Sequence, residues 1–244
     1  MKPNLRILLP VLSLALLLGA VFVIQPRTMS YLGLNLLFNL AVPIALATVA
    51  QMIIIMVNDI DLSVGTFVSF VACVTATWLN DAPLIGAAIL AASVLAYAGL
   101  GALIQARGLP AIVVTLGMSF VWAGLALMIL PSPGGASPGW LRWLMTAKPP
   151  VAPMAIVASV LIAGLAHLLI MRSSFGTVLR GFGGNERTLA RAGWSLIRLR
   201  ASAYALSAVF GILSGMTLVG LSTAADANIA LRYTLLSIAG VILG

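Results

Sequence analysis

Few residues in this chain could do covalent chemistry. It has one histidine, His167, and one cysteine, Cys73. A lone histidine cannot build a multi-histidine metal site, and a lone cysteine excludes both an intrachain disulfide and a cysteine-based zinc site. Cys73 lies in an apolar run and reads as packing. No nucleophile motif accompanies His167, and neither a P-loop nor a dinucleotide fingerprint occurs. The residue pattern therefore supplies no catalytic residue, no metal ligand and no cofactor site. If ATP is used, another chain must bind it.

The informative residues are polar groups set into apolar surroundings. Asn35, Asn39 and Gln51 share one apolar run with Pro43, and Thr115 lies in another. Amides and hydroxyls at membrane depth face protein or water rather than lipid, and they suit an uncharged polyol. Asn35, Asn39, Gln51 and Thr115 are thus the candidate substrate path. Pro43 lacks an N–H and is expected to kink its helix. In Asn58-Asp59-Ile60-Asp61-Leu62-Ser63-Val64-Gly65, two acids sit between two apolar runs. Asp59, Asp61, Ser63 and Gly65 form a candidate structural joint in which Asp61 or Ser63 can cap the following helix. Pro110 is expected in the first turn of the helix that carries Thr115 and Gly117, two residues small enough for close helix contact. Ala203, Ser207, Gly211 and Gly215 recur every four residues and should let another helix approach closely.

The elements that position these groups follow from composition. The chain is 62% hydrophobic and only 7% charged, whereas soluble chains are roughly a quarter charged. A water-facing surface cannot be built from so few charges. Crossing a hydrocarbon core takes about 20 apolar residues. Runs at about 7–25, 36–57, 62–80, 84–105, 111–130, 151–170 and 201–222 meet that need, and an eighth begins near Thr234. The alternation of barrel strands is absent. The expected fold is all-α, a polytopic integral membrane helical bundle of about seven complete transmembrane helices plus a partial eighth. It forms a single transmembrane domain over 1–244. The first run is longer than a signal-peptide core and lacks a clear cleavage site, so it reads as an uncleaved helix.

The net charge of +8 does not indicate nucleic acid, because the basic residues fall in the gaps between apolar runs. With the N-terminus placed in the cytoplasm, nine basic residues share its side: Lys2, Arg6, Arg107, Arg172, Arg180, Arg187, Arg191, Arg198 and Arg200. Four lie opposite: Arg27, Arg142, Lys148 and Arg232. The asymmetry supports that orientation. Pro131–Pro150 is a Pro- and Gly-rich loop in which Trp140 and Trp143 suit the headgroup level. Arg172–Arg200 is the most polar stretch, expected in the cytoplasm and able to contact anionic lipid. A short helix is expected around Glu186–Ala192, with Arg187 and Arg191 on one face.

Three stretches in order, Ile60–Gly65 (IDLSVG), Leu109–Gly124 (LPAIVVTLGMSFVWAG) and Ser174–Gly193 (SFGTVLRGFGGNERTLARAG), resemble the permease subunits of bacterial ABC importers for ribose and related sugars. These belong to the wider branched-chain amino-acid/ribose permease superfamily. The resemblance runs from about Met29 to Gly244. It implies a multi-pass subunit of the bacterial plasma (inner) membrane that forms the path for a sugar or related polyol and is itself no enzyme. It also implies a second permease copy or homologous permease, a cytoplasmic ABC ATPase and a periplasmic or surface substrate-binding protein. Segment 172–200 becomes the coupling loop, with Gly183, Gly184, Asn185, Glu186, Arg187, Ala190, Arg191 and Gly193 as the ATPase-coupling residues. Nucleosides or branched-chain amino acids are alternative cargoes. A secondary transporter or channel is disfavoured, because the middles of the helices lack the charges that couple ions. Two departures stand out. Asp59 occupies the place where the family usually has glycine. The chain stops at Gly244, so the last apolar run, from Thr234, has 11 residues, about 17 Å of helix and too short to cross. A truncated gene product, a fragment or an incomplete sequence is the expectation, with weak or absent transport if only these residues are made.

Overall fold

The structure, a computed structural model, describes the backbone of residues 4–149 and 152–243 and the side chains from residue 11 onward, apart from residues 150 and 151. Lys2, the side chain of Arg6, the first residue of the 151–170 run and the terminal Gly244 fall outside this description. Thirteen α-helices follow one another among the described residues: α1 (Asn4–Ile24), α2 (Tyr31–Asn39), α3 (Ala41–Ile55), α4 (Val64–Ala76), α5 (Trp78–Asp81), α6 (Pro83–Arg107), α7 (Ala111–Ile129), α8 (Gly139–Thr146), α9 (Met154–His167), α10 (Ser174–Gly184), α11 (Glu186–Arg191), α12 (Leu196–Ser222) and α13 (Tyr233–Leu243). No strand occurs among them; one isolated antiparallel bridge joins Gly134 and Ala225. The all-α membrane bundle expected from composition is present. Among the described residues, five helical stretches are long and apolar enough to cross a membrane: Tyr31–Ile55, Pro83–Arg107, Ala111–Ile129, Met154–Arg172 and Leu196–Ser222.

The second expected run starts earlier than 36, at Tyr31, and breaks at Leu40. Pro43 explains the break: it offers no N–H to the Asn39 carbonyl, and its ring crowds that carbonyl. Ser214 on α12 then donates its hydroxyl to the Pro43 carbonyl at 2.6 Å. The third run, expected as one helix over 62–80, is divided. α4 has 13 residues, about 20 Å of helix, and ends because the Ala76 carbonyl accepts from the Ala136 N–H at 2.8 Å rather than continuing the ladder. α12 begins at Leu196 instead of 201, so Arg198 and Arg200 lie on a helix rather than in a loop. Pro110 is the cap just before α7, one position ahead of its expected place. The 131–150 loop is not wholly irregular, since it contains α8, from which Trp140 and Trp143 project exposed.

α12 is the axis of the bundle and packs against α3, α4, α6 and α8. Its small-residue stripe behaves as expected: Ala203, Ser207, Gly211 and Gly215 are all buried. A Cβ on Gly211 would meet the Phe67 ring at 2.8 Å, and one on Gly215 would meet Val71 at 2.6 Å. α4 is buried around its whole circumference except at Thr66. α7 fully buries only Ala111, Thr115, Trp122 and Ala126, a single stripe edged by the partly buried Val114, Met118 and Ile129, and exposes Ile112, Val113, Leu116, Phe120, Val121, Leu125, Leu127 and Met128. That is the pattern of a helix with lipid on most of its surface. Phe67, Phe70, Tyr97 and Trp122 form the aromatic centre, with ring centroids 4.5 Å apart for Phe67–Tyr97, 5.1 Å for Phe67–Trp122 and 5.0 Å for Phe70–Trp122. Gly117 differs from its expected role: it faces outward, and a Cβ there would meet nothing within 4 Å.

At the end of the bundle beyond α4, the loops lock together. Gly134 and Ala225 exchange N–H···O bonds at 2.9 and 2.8 Å, and the Ser137 N–H donates to the Thr223 carbonyl at 2.9 Å. From there segment 224–232 runs back along α4 with Ala225, Ala227 and Ala230 buried. Non-helical backbone at such depth must be satisfied by protein. Ser69 accepts from the Ala230 N–H at 3.0 Å, and Thr234 accepts from the Gly65 N–H at 3.0 Å. The bare Gly65 permits this approach, because a Cβ would sit 2.6 Å from the Ala230 carbonyl oxygen.

Close α12–α4 packing yields the first prediction. Gly215→Leu lowers the thermal midpoint of the detergent-purified protein by overpacking, at a cost of about 1–3 kcal/mol or more. Gly117→Leu, into open space, leaves the midpoint unchanged.

Candidate functional site

Polar side chains buried in an apolar bundle must find partners within the protein. In this structure Gln51, Asp59, Asp61, Ser63 and Thr115, all buried, gather at the turn between α3 and α4, residues 56–63. Asn58 turns the chain at φ 60°, a left-handed conformation that asparagine tolerates better than most residues. Asp61 Oδ1 accepts from both the Ser63 N–H at 2.7 Å and the Ser63 hydroxyl at 2.6 Å. Asp61 thus closes a turn ahead of α4 rather than capping the helix, and Ser63, the N-cap residue, makes no side-chain capping bond, so the expected cap is not formed. Ser63 uses its hydroxyl on Asp61, so the Tyr97 hydroxyl 2.9 Å away must be the donor to Ser63. The Gln51 amide, oriented by its partners, donates to the Asp61 carbonyl at 3.0 Å and accepts from the Asp61 N–H at 3.1 Å. Thr115 Oγ1 accepts from the Leu62 N–H at 3.1 Å, and its hydroxyl lies within donating distance of the carbonyls of Ala111 at 2.9 Å and Ile60 at 3.3 Å. α3, α6 and α7 thus all grip the same short backbone.

The second carboxylate of the turn looks the other way. Arg200, near the start of α12, approaches Asp59 side-on, with Nε 3.1 Å from Oδ2 and Nη2 donating to Oδ1 at 3.4 Å. The Tyr204 hydroxyl donates to Asp59 Oδ2 at 3.1 Å. The same Arg200 Nη2 reaches Glu186 Oε1 at 3.3 Å, and Gln105 on α6 donates to the other Glu186 oxygen at 3.4 Å. The Phe182 ring lies 5.2 Å from the guanidinium carbon, a favourable cation–π distance. Burial pushes the Asp59 carboxyl above the usual carboxylate range, while Arg200 and then Tyr204 pull it back. Burial likewise raises the Asp61 carboxyl against the pull of its Ser63 bonds.

The expected coupling residues divide into two groups. Gly183 is packed against the turn: Asn58 donates to its carbonyl at 2.7 Å, and a Cβ there would collide with the Met56 carbonyl. Asn185 caps α11 by accepting from the Thr188 N–H at 3.2 Å. Gly193, at φ 85°, closes α11 in the left-handed conformation that favours glycine. Glu186 points inward to Arg200. Gly184, Arg187, Ala190 and Arg191 are exposed, joined by Trp194 at 48% exposure. The short helix expected at 186–192 is α11.

The four candidate path residues do not form one site: Gln51 and Thr115 meet at the α3–α4 turn, and Asn35 and Asn39 lie apart from it. Gln51 and Thr115 are fully buried, and their polar atoms bond the turn's backbone. Asn35 and Asn39 lie on α2, away from the turn, with Asn39 facing Met145, Met154 and Leu221. His167 is exposed at the end of α9. Tyr97, Gln105, Phe182, Arg200 and Tyr204 were not singled out by sequence. Arg200 counted there only as an orienting charge. The one available signal was that an acid beside an apolar run needs a partner.

Residues 33–244 match the family described as branched-chain amino acid transport system / permease component. The chain is similar to the ribose import permease protein RbsC of Escherichia coli strain K12, at 23% identity over 95% of this chain and 76% of that protein. It is similar also to the galactofuranose transporter permease protein YtfT of the same strain, at 27% identity over 85% of this chain and 62% of that one. No solved structure matches significantly.

The grip on the turn can be measured. Gln51→Leu keeps the volume but leaves the Asp61 N–H and carbonyl unpaired, at roughly 1–3 kcal/mol for each group. The expected outcome is a lower thermal midpoint and reduced yield. Gln51→Glu, which retains an acceptor for the Asp61 N–H, falls between Gln51→Leu and wild type.

Proposed function

Because this chain belongs to the branched-chain amino acid transport system / permease component family, we propose that it is the membrane-spanning subunit of an ATP-driven importer whose ATPase is a separate chain. One observation carries the reading. α11 presents Arg187, Ala190 and Arg191 outward while its first residue, Glu186, is tied inward to the bundle through Arg200. A helix built this way can receive a partner on one face and pass its movement inward on the other. The partner is a cytoplasmic ABC ATPase, which places α10 and α11 in the cytoplasm and the N-terminus on the same side. A second permease copy or homologue and a periplasmic or surface binding protein complete the assembly.

The proposed cargo is a sugar or related polyol. The similarity to permeases named for ribose and galactofuranose supports it. The family's description favours a second reading, a branched-chain amino acid. An amino acid carries two charges that need charged partners, and the middles of the five long spans hold no Asp, Glu, Lys or Arg. That absence favours the uncharged cargo. Asn35 and Asn39 remain proposed path residues. Gln51 and Thr115 are proposed to act on the path through the turn they hold.

The test is co-purification. A tag on this chain should retain the ATPase encoded beside it. Gly184→Trp should abolish retention without unfolding the permease, because a Cβ on this exposed residue would point into open space. Arg187→Glu with Arg191→Glu should do the same. An ATPase that is never retained, with the permease present in the membrane, rejects the proposal. Uptake of labelled ribose but not leucine into vesicles carrying the complex would select the sugar reading.

A further inference from the structure

Arg200 stands where three separately placed parts of the chain meet. One is α11, through Glu186; another is the α3–α4 turn, through Asp59; the third is α12 itself, which carries Arg200 and Tyr204. The side chains of Arg200 and Asp59 are only 11% and 7% exposed, whereas Glu186 is 35% exposed. The ionic chain therefore runs from a half-open end at α11 to a closed end inside the bundle. Beyond Asp59 the connection does not stop. The same turn is fastened to α3 by Gln51, to α6 by Tyr97 and to α7 by Thr115. Gln105 attaches α6 directly to Glu186.

We propose that Arg200 is the positioning residue that transmits displacement of α11 to the α3–α4 turn, with Asp59 as its receiving group. The inference rests on the ATPase-coupled reading above and extends it to a specific relay. The guanidinium donates to two carboxylates on different elements, so neither can move far without drawing Arg200 or losing a bond to a largely buried charge. The Phe182 ring beneath it limits sideways escape. Asp59 passes the shift to a backbone that has little freedom of its own, because Gln51 and Thr115 hold both faces of residues 60–62. A turn fixed this way carries the entrance of α4 with it.

The experiment uses the full chain co-purified with the ATPase encoded beside it, in lipid nanodiscs. ATP turnover is measured per assembled complex, next to turnover of the free ATPase. Arg200→Met and Asp59→Asn are expected to retain the ATPase yet move turnover per complex toward the free-ATPase value by about threefold or more. Asp59→Asn combined with Glu186→Gln should differ little from Glu186→Gln alone, since both carboxylates act through one guanidinium. Arg200→Lys keeps the charge but not the forked reach and should restore turnover in part. A merely structural role would lower yield and thermal midpoint and leave turnover per complex unchanged; that result overturns the relay. If Arg200→Met does not assemble, the isosteric Asp59→Asn and the conservative Arg200→Lys decide by the same criterion. A wild-type chain that retains no ATPase overturns the function reading and the relay with it. Retention with unchanged turnover in the variants overturns the relay alone.

Discussion

The α3–α4 turn concentrates a constraint that shapes the molecule: backbone groups removed from water are satisfied from within. Gln51 answers both polar groups of the Asp61 peptide, Thr115 answers the Leu62 N–H, and Asp61 answers Ser63. Without these bonds the turn could not sit buried among α6, α7 and α12. With it in place, α4 can begin inside the protein rather than at a water-facing surface. The aromatic cluster of Phe67, Phe70, Tyr97 and Trp122 then packs against a fixed point. Tyr97 contributes to both, with its ring in the cluster and its hydroxyl on Ser63.

Packing and polarity divide the work between the two sides of α4. Toward α12, contact depends on missing side chains, as Gly211 and Gly215 admit Phe67 and Val71. Toward segment 224–232 it depends on small hydrogen-bonding side chains, Ser69 and Thr234, which satisfy backbone that is not helical. The first device brings dispersion contacts close; the second makes irregular backbone tolerable at depth. Both leave α4 with almost no exposed surface. The lipid-facing role falls to helices such as α7, which buries one stripe and shows the rest.

Much of this was legible in residue order, and the remainder for definite reasons was not. Apolar runs located α6, α7 and the body of α12 to within a few residues, because length and hydropathy alone determine a span. The stripe Ala203–Gly215 identified the packing face of α12, since small residues have one main use there. The break after α4 was invisible, because it comes from the Ala136 N–H, 60 residues away, capturing the Ala76 carbonyl. Asp59 was conspicuous as an acid where the resembled family has glycine, but its partner was not, since Arg200 is 141 residues away. Gln51 and Thr115 were noticed for their polarity, a property shared by a path-lining group and a structural clamp. Only geometry reveals where their bonds go.

The near-complete enclosure of α4 bears on how the protein is made. At 13 residues and about 20 Å, α4 is shorter than a hydrocarbon core is thick. A nascent chain entering the bilayer therefore has no full-length span to offer at this point. Two of the walls that close around it, α7 and α12, leave the ribosome later, and α12 begins 120 residues after α4 ends. Until then Asp59 has no Arg200, and Gly65 has no Thr234. The turn and α4 must be sheltered by water, by the translocation machinery or by α6 while synthesis continues. The fold thus places the partners of Asp59 and Gly65 late in the chain, so the enclosure of α4 can be completed only once α12 and Thr234 have been made.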